Sequence, residues 1–282
     1  MGKLYLLVSW LFLISQCCLA QGNGPGLHGA RAAGMGNAAV TLSDVWAVGN
    51  NVAGLSQLTR PEVGVYAENR FLISSLNTVG LAVASPLGRL TGEEPRYGVV
   101  GLELQRFGDK LYNEQRVGLG YAYRTGVMSV GVRADVLQVA IEGLGSRRAV
   151  AASVGAQAEL IPRKLVFGAY LYNLNQAHLA EYEDERVPTV LKAGLSYRPT
   201  EKVMLNAEVE KDVDHAADFR AGIEYQALEA LALRVGVLGV SEQVTGGAGF
   251  HAGRFRIDYA GAWHSSLGLS QHISAGFRLE AK

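Results

Sequence analysis

The sequence predicts an all-β chain closed into an antiparallel transmembrane β-barrel of about fourteen strands, with an N-terminal lumen plug, or hatch. Three observations lead there: an export signal at the start, segments of roughly ten residues that alternate with a period of two, and charge in the middle of the polar face of those segments.

The first twenty residues read as a secretory signal peptide. Lys3 supplies the positive start, Leu4 to Ile14 the apolar stretch, and Cys18-Leu19-Ala20 a small-residue cleavage site. The apolar run is short of the roughly 18 residues that a spanning helix needs. A lipid anchor on Cys17 or Cys18 is the other reading, but Ser15-Gln16 lacks the small residue expected before a lipidated cysteine. Both cysteines fall within this signal. Disulfide scaffolds, thiol nucleophiles and cysteine metal sites are therefore not expected in the processed chain.

Composition agrees with strands. Glycine is abundant at 35 residues and proline scarce at 7, and 49% hydrophobic with 18% charged residues is far below the apolar content of a helical membrane protein. Residues 1–20 contain one basic residue, Lys3, so the remainder carries 25 basic and 26 acidic side chains out of 26 and 26. A net charge near −1 gives no footprint for nucleic acid.

From residue 61 the alternation is read in fourteen segments: 61–71, 77–84, 96–107, 114–124, 126–138, 148–160, 163–173, 188–198, 202–211, 217–226, 229–238, 243–250, 254–262 and 269–280. In 203–209, Val203, Leu205, Ala207 and Val209 oppose Met204, Asn206, Glu208 and Glu210; Phe219, Ala221, Ile223 and Tyr225 oppose Arg220, Gly222 and Glu224. A soluble sandwich also alternates, so the export signal and the opposing Arg/Glu rows decide for lipid on the apolar face and a polar lumen on the other. Every second connection is short, as at Thr125-Gly126, Ile161-Pro162, Ala227-Leu228 and Ala252-Gly253, while 139–147 and 174–187 are expected to be longer outer loops. The 85–95 link is long on the supposed periplasmic side and breaks the pattern. The domains expected are thus the signal (1–20), a plug (21–60) and the barrel (61–282).

Residues 21–60 do not alternate. Small residues, with Gly34-Met35-Gly36-Asn37 at their centre, permit close backbone packing in a crowded space, and Ser43 or Asp44 suits the cap of a short helix containing Trp46. A second cluster, Asn50-Asn51-Val52-Ala53-Gly54-Leu55, follows. The Gly29-Ala30-Arg31-Ala32-Ala33-Gly34-Met35-Gly36 run and Asn51-Val52-Ala53-Gly54-Leu55, with Val52 where the family has Pro, resemble the PorV/PorQ family of Bacteroidetes outer-membrane proteins, itself similar to the FadL channels. The stretches from Tyr112 to Leu119 and from Glu183 to Thr189 add to the resemblance to a short branch of that family. The resemblance implies a fourteen-stranded barrel in a Gram-negative outer membrane with an N-terminal hatch. It also implies one of two roles: a partner in type IX secretion, as for PorV and PorQ, or passage of hydrophobic ligands, as for FadL.

The lumen face collects Glu103, Arg116, Arg133, Asp135, Lys192, Glu208, Glu210, Arg220, Glu224, Arg234, Arg256, Asp258 and Arg278. A porin for charged solutes favours one sign along its constriction. This mixed set suits ion pairs that hold a plug, because buried unpaired charge is costly.

No pattern supports catalysis, a cofactor or a metal. The glycine clusters lack a following Lys-Ser/Thr, and the six histidines lack paired ligand spacing. Ser265-Ser266 near His264 and His272 lacks a Gly-x-Ser-x-Gly context. Glu181, Glu183, Asp184 and Glu185 form an acidic knot that reads first as a solvated loop and second as a Ca²⁺ site. Three functions follow in order. The first is an accessory barrel that docks secreted proteins or a larger outer-membrane complex. The second is a FadL-like transporter, with an apolar pocket near Trp46, Leu55 and Leu58 and a strand kink at Gly246-Gly247 or Pro86. The third, distant, is a barrel hydrolase. Outer-membrane lipid is a partner in all of them.

Overall fold

The computed structural model describes residues 24–26, 28–88, 97–179, 186–240 and 242–279. The expected signal peptide, most of the 85–95 link and the acidic knot lie outside these residues.

Fourteen strands follow one another round a closed antiparallel barrel in which the first pairs with the last. They are β1 (Glu62–Asn69), β2 (Asn77–Pro86), β3 (Val99–Gly108), β4 (Tyr112–Thr125), β5 (Met128–Ile141), β6 (Gly145–Ile161), β7 (Leu165–Tyr172), β8 (Val190–Thr200), β9 (Val203–Asp212), β10 (Asp218–Leu228), β11 (Leu231–Leu238), β12 (Gln243–Ala252), β13 (Phe255–His264) and β14 (Gly268–Arg278). Closure runs from Glu62↔Arg278 to Asn69↔Gln271. Among the described residues it leaves no strand without a partner on either side, the condition for placing strands in hydrocarbon, where a free N–H or C=O has no water to bond.

All fourteen expected segments become strands, including 77–84, 163–173 and 243–250, where alternation is weakest. One expected outer loop is corrected. Strands β5 and β6 extend to Ile141 and from Gly145, so 139–147 shrinks to a three-residue turn. Gly143 and Gly145 at φ 79 and 91 make that tight reversal. Of the loop-end connections 173–189 is the longest, and at the opposite end 126–127, 201–202, 229–230 and 253–254 are short while 87–98 is long, as expected from the sequence. The two ends are called here the loop end and the turn end; short turns mark the periplasmic side.

The side chains sort as the alternation demands. Leu119, Val132, Val150, Val235, Val244 and Ile257 point outward and are 51–61% exposed, while Glu103, Arg133, Asp135, Glu208, Arg234 and Asp258 point inward and are buried. An outward surface this apolar all round is far beyond the few hundred Å² that a water-soluble monomer exposes, so hydrocarbon must cover it. Near the turn end, outward Tyr121, Tyr123, Phe167, Tyr197, Tyr225, Phe250 and Phe255 form an aromatic belt. Amphipathic rings settle at the boundary between hydrocarbon and headgroups, which fixes the depth of the barrel.

Residues 24–58 run through the ring of strands. They form α1 (Ala30–Ala33), α2 (Ala47–Asn50) and a 3₁₀ turn at Val52–Gln57. Their path starts beside Arg116 near the loop end and reaches the turn end before Glu62 opens β1. Asp44 accepts the Trp46 N–H at 3.0 Å, but Trp46 stands at the N-cap of α2 rather than inside it. Met35, Ala47, Val48, Val52, Ala53 and Leu55 have no exposure to solvent.

Room for this segment comes from glycine. Gly64, Gly101, Gly120, Gly131, Gly155, Gly168, Gly194, Gly222, Gly236 and Gly247 come from ten different strands, and each lies against residues of the N-terminal segment where a Cβ would stand. A Cβ at Gly64 would be 2.8 Å from the Trp46 ring, and one at Gly131 2.9 Å from Ala53 N. Extended strands do not ordinarily favour glycine, which loses backbone entropy and packs nothing. Ten such positions facing one segment describe a wall cut to fit its contents.

Candidate functional site

The inward charges and the N-terminal segment meet in three clusters. In the first, the Arg133 guanidinium contacts Asp135 at 2.5–3.0 Å and Glu103 at 2.7 Å, and donates to the Val48 carbonyl. Glu103 also meets His28 Nδ1 at 2.5 Å. Two strands and the segment therefore share one buried ionic knot.

In the second cluster Arg31 forks onto Glu224 at 2.7 and 2.8 Å and reaches Asp44 at 3.3 Å. Arg234 joins Glu224 at 2.6 Å to Asp258 at 2.7 Å, and Arg256 stands 3.8 Å from Asp44. A bidentate guanidinium–carboxylate pair is among the strong side-chain contacts and is directional, so Arg31 registers α1 against β10. In the third, Arg220 forks onto Glu210 at 2.6 and 2.7 Å and touches Asp218 at 2.9 Å, while Lys192 lies 3.1 Å from Glu210. Glu208 accepts the backbone N–H groups of Ala39 and Val40 at 2.7 and 2.8 Å, satisfying donors outside any helix or strand.

Asparagine does similar work for the backbone. Asn51 donates to Val40 O at 2.7 Å and to the wall carbonyls of Ala156 and Ala169 at 3.2 and 3.3 Å, while its Oδ1 accepts the Ala53 N–H at 3.2 Å. Asn50 exchanges two bonds with the His28 backbone at 2.8 and 3.3 Å. Asn37 takes the left-handed conformation at φ 60, next to Gly36 at φ 62, which packs between the β10 and β11 backbones. Gly34 rests on Gly247, Gly54 packs against the Leu42 carbonyl, and Leu55 reaches Gly101.

Every residue singled out in the two small-residue motifs thus lies within the ring of strands, and the inward charges other than Arg256 and Arg278 are bonded to it or to one another. Arg116 donates to the Gly24 and Pro25 carbonyls. Arg278 differs: it pairs with Glu62 at 2.6 Å at the turn-end rim and is half exposed. Sequence reasoning read Asp44 only as a helix cap and missed the segment's basic partners, His28 and Arg31. The signal was present in Arg31, a lone cation inside a run of Gly and Ala, where a charge needs a partner from elsewhere.

Three cavities adjoin these clusters. A vestibule of about 560 Å³ opens toward the loop end, floored by Pro25, Asn37 and Asn50 and walled by Arg70, Asp212 and Arg220 among others. A hollow of about 200 Å³ lies at the turn end, and an apolar one of about 590 Å³ lies on the outer wall across β7–β11. The expected apolar pocket at Trp46, Leu55 and Leu58 is instead filled. Trp46 stacks edge-on against Tyr66 at 5.8 Å, and all three residues belong to one packed cluster.

No kink is found at Gly246-Gly247, where pairing with β11 and β13 is continuous. Gly247 serves instead to admit Gly34. Pro86 ends β2 opposite Val99. The register shifts fall at Glu159/Ile161, Tyr197/Thr200 and Gln226/Leu228, toward the turn end. His264 caps its own turn by accepting the N–H groups of Ser266 and Leu267, and His272 meets the Tyr66 hydroxyl at 2.9 Å. Ser265 donates to Glu242 at 3.3 Å. The Ser/His grouping considered from sequence is a turn and a lumen contact.

Closed antiparallel pairing, an apolar outer belt with an aromatic girdle, and a polar interior define the class: an outer-membrane β-barrel of the Gram-negative type. Among solved structures, the chain is similar to a deltaS2 mutant of the TodX monoaromatic hydrocarbon channel, with a TM-score of 0.67 and 12% identity over 90% of this chain and 99% of that one. It is more loosely similar to the outer membrane protein Omp33 of Acinetobacter baumannii, at TM-score 0.49 and 12% identity over 78% of this chain and 98% of the other. At these identities the likeness establishes the fold. No protein-family profile and no curated protein matches the sequence.

Proposed function

We propose that residues 21–60 are a plug that seals the lumen, and that the chain is an accessory or docking barrel of a larger outer-membrane assembly rather than an open pore. The observation that carries this reading is the fit between wall and segment: ten inward glycines make room for it, and Arg31, Glu208 and Asn51 fasten it. A conducting porin needs a continuous aqueous path, and a wall packed against a filling segment works against one. The small-residue motifs that resemble PorV and PorQ support the docking role, and with it a place in type IX secretion.

A second reading, a FadL-like channel for hydrophobic small molecules, is favoured by the likeness to TodX and by the apolar hollow on the outer wall, lined by Phe167, Ala193, Leu195, Ala207, Phe219 and Val237. Affinity purification from native outer membranes in mild detergent, followed by mass spectrometry, separates the two. Docking predicts stoichiometric partner proteins. A lone barrel carrying a bound apolar molecule would replace the first reading by the second.

A further inference from the structure

The turn-end hollow of about 200 Å³ is lined by His251, Arg254, Arg256 and Arg278 and by two carboxylates, Glu62 and Asp258, which Arg278 and Arg234 hold at 2.6 and 2.7 Å. His251 and Arg256 are direct partners across β12 and β13, so their side chains stand next to each other on the inward face. His251 Nε2 is buried and has no hydrogen-bond partner among the described residues.

Among the lumen arginines named above, Arg256 stands apart in having no hydrogen bond to a described residue; Arg116 bonds the Gly24 and Pro25 carbonyls and Arg278 bonds Glu62. Arg31, Arg133, Arg220 and Arg234 each make at least two hydrogen bonds to carboxylates, at 2.5–3.0 Å. Arg256 makes none to a described residue; its nearest carboxylate is Asp44 at 3.8 Å, too far for a hydrogen bond. Asp44 is already engaged by Arg31 and the Trp46 N–H. A half-enclosed guanidinium with donors unmet and an imidazole whose buried Nε2 is unmet therefore line one hollow, and leaving such groups unpaired is costly.

We propose that this hollow binds a phosphate oxyanion, with Arg256 as the forked donor and His251 as the second. A tetrahedral phosphate offers two oxygens to the guanidinium fork and a further one to a donor on the neighbouring strand. The rim also places Phe255 and Phe277, 4.7 Å apart, in the aromatic belt at headgroup depth. The phosphate thus comes from a lipid headgroup of the turn-side leaflet or from a soluble phosphate ester on that side.

The test is calorimetric titration of the purified full chain in a phosphate-free maltoside detergent. One arm uses dihexanoyl phosphatidic acid and the other glycerol 3-phosphate. Binding of the lipid alone assigns a headgroup; binding of both assigns a soluble ester. In either case Arg256→Gln and, independently, His251→Ala weaken binding by about tenfold or more, and Arg256→Lys falls between because it keeps charge without the fork. Each variant is first checked for folded-barrel mobility on gels, and His251→Ala carries the test if Arg256→Gln does not fold. No binding of either probe below about 10 mM, or binding indifferent to the folded variants, overturns the proposal.

Discussion

Replacing Gly131 by valine asks whether the wall is shaped to its filling. A Cβ at this position stands 2.9 Å from Ala53 N and from Val52 Cγ1, both in the N-terminal segment. The valine methyls reach about 1.5 Å further, so the segment must shift by about that much or leave. Overpacking of this kind costs about 1–3 kcal/mol. The strand itself gains, because a β-branched residue suits extended backbone better than glycine by up to about 1 kcal/mol. Adding Gly236→Val, whose Cβ meets the Met35 and Gly36 backbone, should bring the loss in docking to about 2–6 kcal/mol if the two sites act independently. That is a shift of about 30-fold to 10⁴-fold in the ratio of docked to undocked segment. The assay is single-channel recording in planar bilayers, paired with limited proteolysis of residues 24–58. The double variant should conduct where the parent is silent, and its segment should be cut while the barrel keeps its folded gel mobility. A silent, protease-resistant double variant would refute the reasoning. So would one whose barrel fails to form, because the glycines would then serve the wall itself.

Three further outcomes are expected. Arg31→Ala breaks a part-buried fork and should weaken docking by about 3 kcal/mol, the low end for such pairs, since Glu224 keeps Arg234; the readout is the urea concentration at which the segment becomes protease-sensitive. Asn51→Asp replaces a donor to three carbonyls by an acceptor and should cost about 1–3 kcal/mol, more than Asn51→Ser in the same assay. Val132→Arg places a charge on the lipid face and should lower the free energy of refolding into vesicles by about 2–4 kcal/mol, against little change for Val132→Leu.

The barrel was legible because its two faces meet two solvents. Residues such as Leu205 and Glu208 must point opposite ways, and a period of two follows directly. Strand ends were less legible, since β5 and β6 continue past the membrane-length segment, with β5 paired to β4 as well as to β6, as an extension that no change of solvent marks. Inward charges such as Arg133 and Asp135 could be read from the same alternation, but their partners could not. Arg133 joins Glu103 from two strands away and His28 joins Glu103 from the segment, contacts that depend on how the lumen is packed. The glycine girdle was visible only as composition. Gly131 and Gly236 look alike in sequence to the turn glycine Gly126, and only the packed structure tells a glycine needed for room from one needed for a turn.

The central claim, that residues near Gly34 lie against the inner wall, is tested most directly by a cross-link. A Cβ at Gly34, whose helical φ of −65° accepts a side chain, would be 3.5 Å from the Ala260 Cβ on β13. That is at the short end of the range of about 3.5–4.5 Å found in disulfides. Both native cysteines precede residue 21, so a Gly34→Cys/Ala260→Cys double variant has a clean thiol background once the expected signal is removed. Mild oxidation of the folded barrel should link the pair nearly completely and shield both thiols from maleimide. A folded barrel in which the pair stays unlinked and Gly34→Cys labels freely would put the segment outside the lumen.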